Sequence, residues 1–299
     1  MLSRYLDPKN DLAFKRIFGE ERHKRLPIAF LNAVFNLSGQ NAIVDLEFLS
    51  TVQPPEVEAR KESIVDVLVR DLAGTKYIIE MQVAKVEGFE KRAQFYAAKT
   101  YCAHFNTGKP YGDLKKVIFL AITSYVVFPE KEGFKSDHVI LDNKTYENDL
   151  KDFSFTFVEL PKFTKTINQL ESLEDQWYYF LKHAQDDKTI GEILTANPDI
   201  KEAYDIVDRI HWSEQDLEVY DRVDMSAADA QGAIIAAKKD GYKEGHEEGI
   251  KEGIKEGIKE GQIEIAKNLI AMGLLLSQIK AATGLTEQDI KSIQDADSR

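Results

Sequence analysis

Two short runs constrain this chain more than any other stretch: residues 64–70 (I-V-D-V-L-V-R) and 76–83 (K-Y-I-I-E-M-Q-V). Each is apolar and rich in β-branched residues, which reads as a buried strand. Asp71-Leu72-Ala73-Gly74-Thr75 lies between them, a link of hairpin length with a glycine for the tight position. Each run also carries an acid. If side chains alternate along the strands, Asp66 shares a face with Ile64 and Leu68, and Glu80 with Ile78 and Gln82. A covered carboxylate is costly without compensation. Two carboxylates on paired strands repel and cannot compensate each other. A divalent cation between them would, and hard cations such as Mg²⁺ take carboxylate oxygens.

The rest of the chain gives this pair a setting. Asn10 is placed to cap a helix over residues 11–18, closed by Gly19, with Asp11 in the first turn where a carboxylate suits the helix dipole. A second helix is expected over 24–35, with Leu26, Phe30, Leu31 and Val34 inward. A strand follows over 43–52, ended by Pro54-Pro55. After the acid-bearing runs come a long helix over 89–105, a buried strand over 116–122, and strands over 137–141 and 152–160. The alternating Phe153, Phe155 and Phe157 are expected in the core rather than exposed as a stacking platform. From residue 171 the pattern turns helical; His183 and His211 stand alone and read as structural. The single cysteine, Cys102, excludes an internal disulfide and a cysteine-based metal cluster.

Near the end, Gly245, Gly249, Gly253, Gly257 and Gly261 recur every fourth residue, with Ile250, Ile254 and Ile258 after three of them. Glu–Lys pairs three apart favour a helix, while each interior glycine costs about 1 kcal/mol against alanine. Two readings are open: a frayed, charged linker helix, or a glycine stripe on which another helix packs closely. Short helices are expected over 264–273, 276–283 and 286–294. Residues 278–290 resemble a helix-turn-helix, but Glu287, Asp289 and Asp295 disfavour phosphate there, so a packing or oligomerisation module is the preferred reading.

The net charge of −12 argues against nucleic acid until its distribution is considered. Residues 1–120 hold 18 of the 39 Lys+Arg and 15 of the 51 Asp+Glu; the remainder holds 21 and 36. The part with the acid pair is mildly basic and the rest strongly acidic, which leaves phosphate contact open only in the first part. No run reaches the length of a membrane span and no apolar signal segment opens the chain, so a cytoplasmic protein is expected.

The ordered set of motifs resembles the PD-(D/E)xK nuclease superfamily, in its branch of recombination-promoting nucleases or nuclease-type transposases (the Rpn family). Asp66 matches the strand-bending Asp, Glu80 the Glu, and Gln82 stands at the lysine position. The opening N-D-L-A-F-K-R-I-F-G at 10–19, Arg92 and Tyr96, Gly108-Lys109-Pro110-Tyr111, and the Glu-Gly repeats are similar to that branch as well. The resemblance implies an α/β fold: a restriction-endonuclease-like core, a mixed sheet flanked by helices, with a helical C-terminal half. The expected parts are a nuclease-like domain at 1–165, a helical extension at 166–235, a repeat helix or linker at 236–261 and a three-helix module at 262–299.

It further implies Mg²⁺- or Mn²⁺-dependent hydrolysis of a DNA phosphodiester, in recombination, mobile-element or defence contexts. The metal would be held by Asp66, Glu80 and the Met81 carbonyl, with Asp11 as an additional acid. Gln82 would orient water or the scissile phosphate, while Lys61 and Arg92 would meet phosphate. A homo-oligomer through the C-terminal helices is expected. The alternative is a catalytically degenerate DNA- or protein-binding oligomer.

Overall fold

Asn10 does cap the first helix, its side chain accepting the Leu12 N–H at 3.0 Å, and Gly19 closes α1 (Asp11–Phe18). The computed structural model describes residues 3–53, 63–103, 110–186 and 196–297. The second expected helix is α2 (Arg25–Val34), and Leu26, Phe30, Leu31 and Val34 are all buried on it. The expected strand over 43–52 is instead two short pieces, β1 (Leu46–Phe48) and β2 (Val52–Gln53).

The first acid-bearing run is also broken. β3 (Ser63–Ile64) pairs with β2 in a small separate sheet, and β4 (Val67–Asp71) joins the main sheet, with Asp66 at the bend between them. Ile64 is 54% exposed, so it does not share a covered face with Asp66 as an unbroken strand would require. The second run forms β5 (Lys76–Gln82), antiparallel to β4. Their turn uses Asp71 twice: its carboxylate accepts the Thr75 N–H at 2.8 Å and its carbonyl accepts the Gly74 N–H at 3.0 Å. Gly74 sits at φ +90°, where a β-carbon would be strained.

The chain then runs through α3 (Phe89–Cys102), β6 (Val117–Thr123), β7 (Lys135–Val139) and β8 (Phe153–Glu159). The main sheet has the order β1-β4-β5-β6-β8-β7; β5, β6 and β8 are mutually parallel and the outer pairings antiparallel. α4 (Leu173–His183), α5 (Pro198–Val207), α6 (Glu214–Ala271), α7 (Leu276–Thr283) and α8 (Glu287–Asp297) complete the order.

Period-two alternation decides which side each strand residue serves. Ile78, Phe119, Ala121 and Phe157 face a core shared with Phe89, Ala93 and Ala97 of α3. Val67, Ile79, Met81, Leu120 and Ile122 face a larger core with Phe14, Phe30, Trp177 and Tyr204 from α1, α2, α4 and α5. The sheet is thus covered on both faces, as its near-continuous apolar central strands require. Phe157 is buried, and Phe153 and Phe155 pack against the α3-side core.

The chain divides into two units, Met1–Ala230 and Gln231–Arg299. In the second, Ala266, Ile279, Leu285, Ile290 and Ile293 form a core of their own. The repeat lies within α6, a continuous helix of 58 residues that also takes in the expected separate helix at 264–273. Gly284, at φ +74°, ends α7 by donating its N–H to the Lys280 carbonyl at 2.9 Å. Thr286 then starts α8 with a reciprocal cap: its hydroxyl accepts the Asp289 N–H, and the Asp289 carboxylate accepts the Thr286 N–H, both at 3.2 Å.

Candidate active site

At the bend, β4 stops following β5. Val67 and Val69 still pair with Ile79 and Tyr77, but the Val65 N–H turns away to the Thr51 carbonyl at 3.2 Å. The Met81 N–H therefore loses its ladder partner and donates instead to Asp66 Oδ2 at 2.8 Å. In return the Asp66 N–H donates to Glu80 Oε1 at 3.1 Å. Each acid satisfies a backbone donor that the bend would leave unpaired. The two carboxylates, which repel, are held side by side because each closes part of the other's strand.

Glu80 is 2% exposed on the α3 face, where Ile78 and Gln82 are its same-strand neighbours. Gln82 Nε2 donates to Glu80 Oε2 at 3.1 Å, and Gln82 Oε1 accepts from Arg92 at 2.5 Å. Arg92 stands on α3, with its guanidinium 5.1 Å from the Phe89 ring centre and 5.9 Å from that of Tyr96. The Arg92 Nε is buried with no hydrogen-bond partner among the described residues.

The electrostatics follow from burial. Burial lifts Glu80 to about 8, the Asp66 charge adds to the rise, and the Asp66 N–H, Arg92 and Gln82 oppose it. Burial likewise lifts Asp66 to about 6; the Met81 N–H pulls the other way, Asp11 adds to the rise, and Lys15 and Arg92 reduce it. Burial raises Tyr96; the Arg92 charge opposes the rise, and the charges of Glu80 and Asp66 add to it.

Most residues named from the sequence meet here. Asp66, Glu80, Met81, Gln82 and Arg92 are joined by the hydrogen bonds above. Asp11 lies close enough to act on the Asp66 charge, yet its own carboxylate is half exposed and paired with Lys15 at 2.7 Å. No group of three or more acidic, histidine or cysteine side chains able to hold a metal occurs among the described residues, so Asp11 does not complete a three-acid set in this arrangement. Lys61, like Arg60, Pro54-Pro55, Gly108-Lys109 and the segment 190–194, lies outside the described residues. Sequence reasoning missed Lys15, whose i, i+4 spacing from Asp11 was the available signal. It also missed that positive charge reaches Glu80 from α3 by way of Gln82.

This topology, with an acid at the bend of one strand and an acid-x-Gln on the next, agrees with the family comparison. The family model for PD-(D/E)XK nuclease family transposases matches residues 8–237. The chain belongs to that family. Residues 259–295, from the end of α6 into α8, match a second model, the C-terminal HTH domain of the Rpn/YhgA-like nuclease family, where a packing or oligomerisation module was the preferred reading. No curated protein and no solved structure gives a significant match. No helix among the described residues is long and apolar enough to cross a membrane.

Members of the PD-(D/E)XK family generally use divalent metals. The donors present suit a hard cation: two carboxylates, and the Met81 carbonyl, which in a strand points to the same edge as its own N–H, here the edge that β4 vacates. An ionised carboxylate has about four acceptor sites, so one backbone bond to each leaves capacity for a metal.

Proposed function

We propose that this family member is a metal-dependent DNA endonuclease with its site at Asp66, Glu80 and Gln82. The observation that carries the reading is the pair of buried acids, both raised above their ordinary values and set side by side by backbone bonds rather than by a basic partner. Asp66, Glu80 and the Met81 carbonyl would hold Mg²⁺ or Mn²⁺. When bound, such an ion polarises a phosphate and makes water a stronger nucleophile at neutral pH.

The chain's own residues then divide the remaining work. Asp66 and Glu80 must both be ionised, which a bound cation favours and burial opposes. Gln82 cannot supply the charge of the usual lysine; it fixes the Glu80 carboxylate and the Arg92 guanidinium in one line. Arg92 supplies the charge instead, reaching the Glu80 carboxylate by way of Gln82. Phosphate contact belongs to the mildly basic first part of the chain, and the protein acts as an oligomer through its C-terminal helical region.

Supercoiled plasmid tests the reading. Nicking is expected with Mg²⁺ or Mn²⁺ and not with a chelator, and Asp66→Asn and Glu80→Gln should each lower it at least a hundredfold while the melting temperature is kept. Full nicking by both variants overturns the site. Gel shifts of DNA without nicking under any divalent ion would establish the degenerate, binding-only alternative.

A further inference from the structure

Helix α3 has two faces. The inner one buries Phe89, Ala93 and Ala97 in the core it shares with the sheet. On the outer one Lys91, Gln94, Phe95 and Ala98 are exposed. Phe95 stands out there, at 57% exposure. A lone exposed apolar side chain needs no explanation, but this one is neither alone nor remote from the acids. Its ring centre lies 6.1 Å from that of Tyr96, and the Tyr96 ring centre lies 5.9 Å from the Arg92 guanidinium. Arg92 donates to Gln82, which donates to Glu80. Two aromatic rings thus continue, out to solvent, a line that begins at the Glu80 carboxylate.

Helical spacing sets the charge around them. Neighbours on a helix surface stand three or four residues apart. For Phe95 these are Lys91 and Arg92 towards the start of α3, and Ala98 and Lys99 towards its end. Lys91 and Lys99 are placed one turn to either side of the ring, each a rise of about 6 Å away. Within α3, Lys91, Arg92 and Lys99 outnumber the acid, Glu90, although the chain as a whole is acidic.

An exposed aromatic flanked by cations suits a nucleic-acid strand whose bases are free. The cations meet phosphate and the ring meets the π-face of a base, whatever the sequence. A continuous duplex cannot use the ring in this way, because its bases are stacked on one another and offer only their edges in the grooves.

We propose that the outer face of α3 holds an unpaired stretch of the DNA strand beside the scissile phosphate, with a base stacked on Phe95 and the flanking phosphates on Lys91 and Lys99. The substrate is then single-stranded or locally unpaired DNA rather than continuous duplex. This rests on the nuclease reading and names the substrate class of that site.

Fluorescence anisotropy of the full chain tests it, with chelator present so that binding is read without cleavage. A labelled single-stranded DNA oligonucleotide of mixed sequence is compared with the same sequence as a duplex. The wild type should bind the single strand at least about tenfold more tightly, and Phe95→Ala and Phe95→Leu should each lose about tenfold on the single strand while duplex binding is unchanged. Phe95→Trp should keep the single-strand affinity. Leucine retains apolar bulk without a π-face, so it separates stacking from packing. Equal affinity for the two forms, binding of neither, or a Phe95→Leu variant that binds as the wild type does would each overturn the proposal. With Mg²⁺, a duplex carrying an unpaired bulge should be cut faster than a perfect duplex by the wild type, and Phe95→Leu should remove that preference. Single-strand binding that depends on Phe95, without any cleavage, would refute the nuclease reading alone. Cleavage of both duplexes alike, unaffected by Phe95→Leu, would refute the stacking platform alone.

Discussion

Asp66 and Glu80 make the pH dependence of this protein calculable in sign. Unfolded, Asp and Glu titrate at about 3.9 and about 4.3; folded, burial raises both, and the neighbouring charge of Asp66 raises Glu80 further. Between these limits the native state holds more protons than the unfolded one, so the contribution of the pair to stability is best at the acid end and declines as pH rises through the folded values. Each such group contributes a slope of about 1.4 kcal/mol per pH unit where only its unfolded form is ionised. The metal-free melting temperature of the wild type should therefore fall more between pH 5 and 8.5 than that of Glu80→Gln. Millimolar Mg²⁺ should raise it at pH 8 and leave it unchanged at pH 5. Equal pH slopes in the two proteins would refute the burial argument.

Asp66 should separate two kinds of loss. Asn at this position can still accept the Met81 N–H, whereas Ala leaves a strand donor unpaired at a cost of about 1–3 kcal/mol. Asp66→Ala should be less stable than Asp66→Asn by that margin in urea unfolding, although both lack cleavage. These two acids were legible in the sequence because acid in an apolar run is conspicuous. Their mutual bonding was not, since it depends on the bend, and the apolar Ile64-Val65 before Asp66 reads as continued strand. The exposed Ile64 shows why that pattern misleads: a β-branched residue can equally begin a small separate sheet.

Among the elements, α3 connects the sheet to the site's charge. Phe89, Ala93 and Ala97 bury its inner face, and the same packing sets Arg92 against Gln82. Removing that guanidinium takes away a charge that favours ionised Glu80 and Asp66. Arg92→Ala should therefore move the acid limb of the cleavage profile to higher pH, by up to about one unit, as well as lowering its maximum. An unshifted limb would mean that Arg92 contacts substrate only. The hairpin, α1 and α2 were readable because local signals agreed: a cap, a glycine, a repeating apolar face. The length of α6 was not, because the intrinsic cost of its glycines argues for fraying, and local propensity gives no account of what supports a helix.

Taken as a whole, the chain has separate cores in its two units. Deletion of residues 241–299 should leave near-UV circular dichroism and the melting temperature of the first unit within a few degrees of the full chain, while removing association. Collapse of the tertiary signal would show that the first unit depends on the second. The acidic balance of the whole sequence had hidden a mildly basic part with the candidate site, a reminder that net charge describes solubility better than it does a local surface.

The Met81 amide has one more use. Most strand amides are bound to a neighbouring carbonyl that never changes its charge; this one is bound to a carboxylate that titrates. Its proton resonance should move as Asp66 ionises, at a pH above the ordinary range of an aspartate, and move again when a cation engages the same carboxylate. Labelling the backbone at this single position would turn the bend into a spectroscopic gauge, reading site occupancy in the intact protein without a substrate.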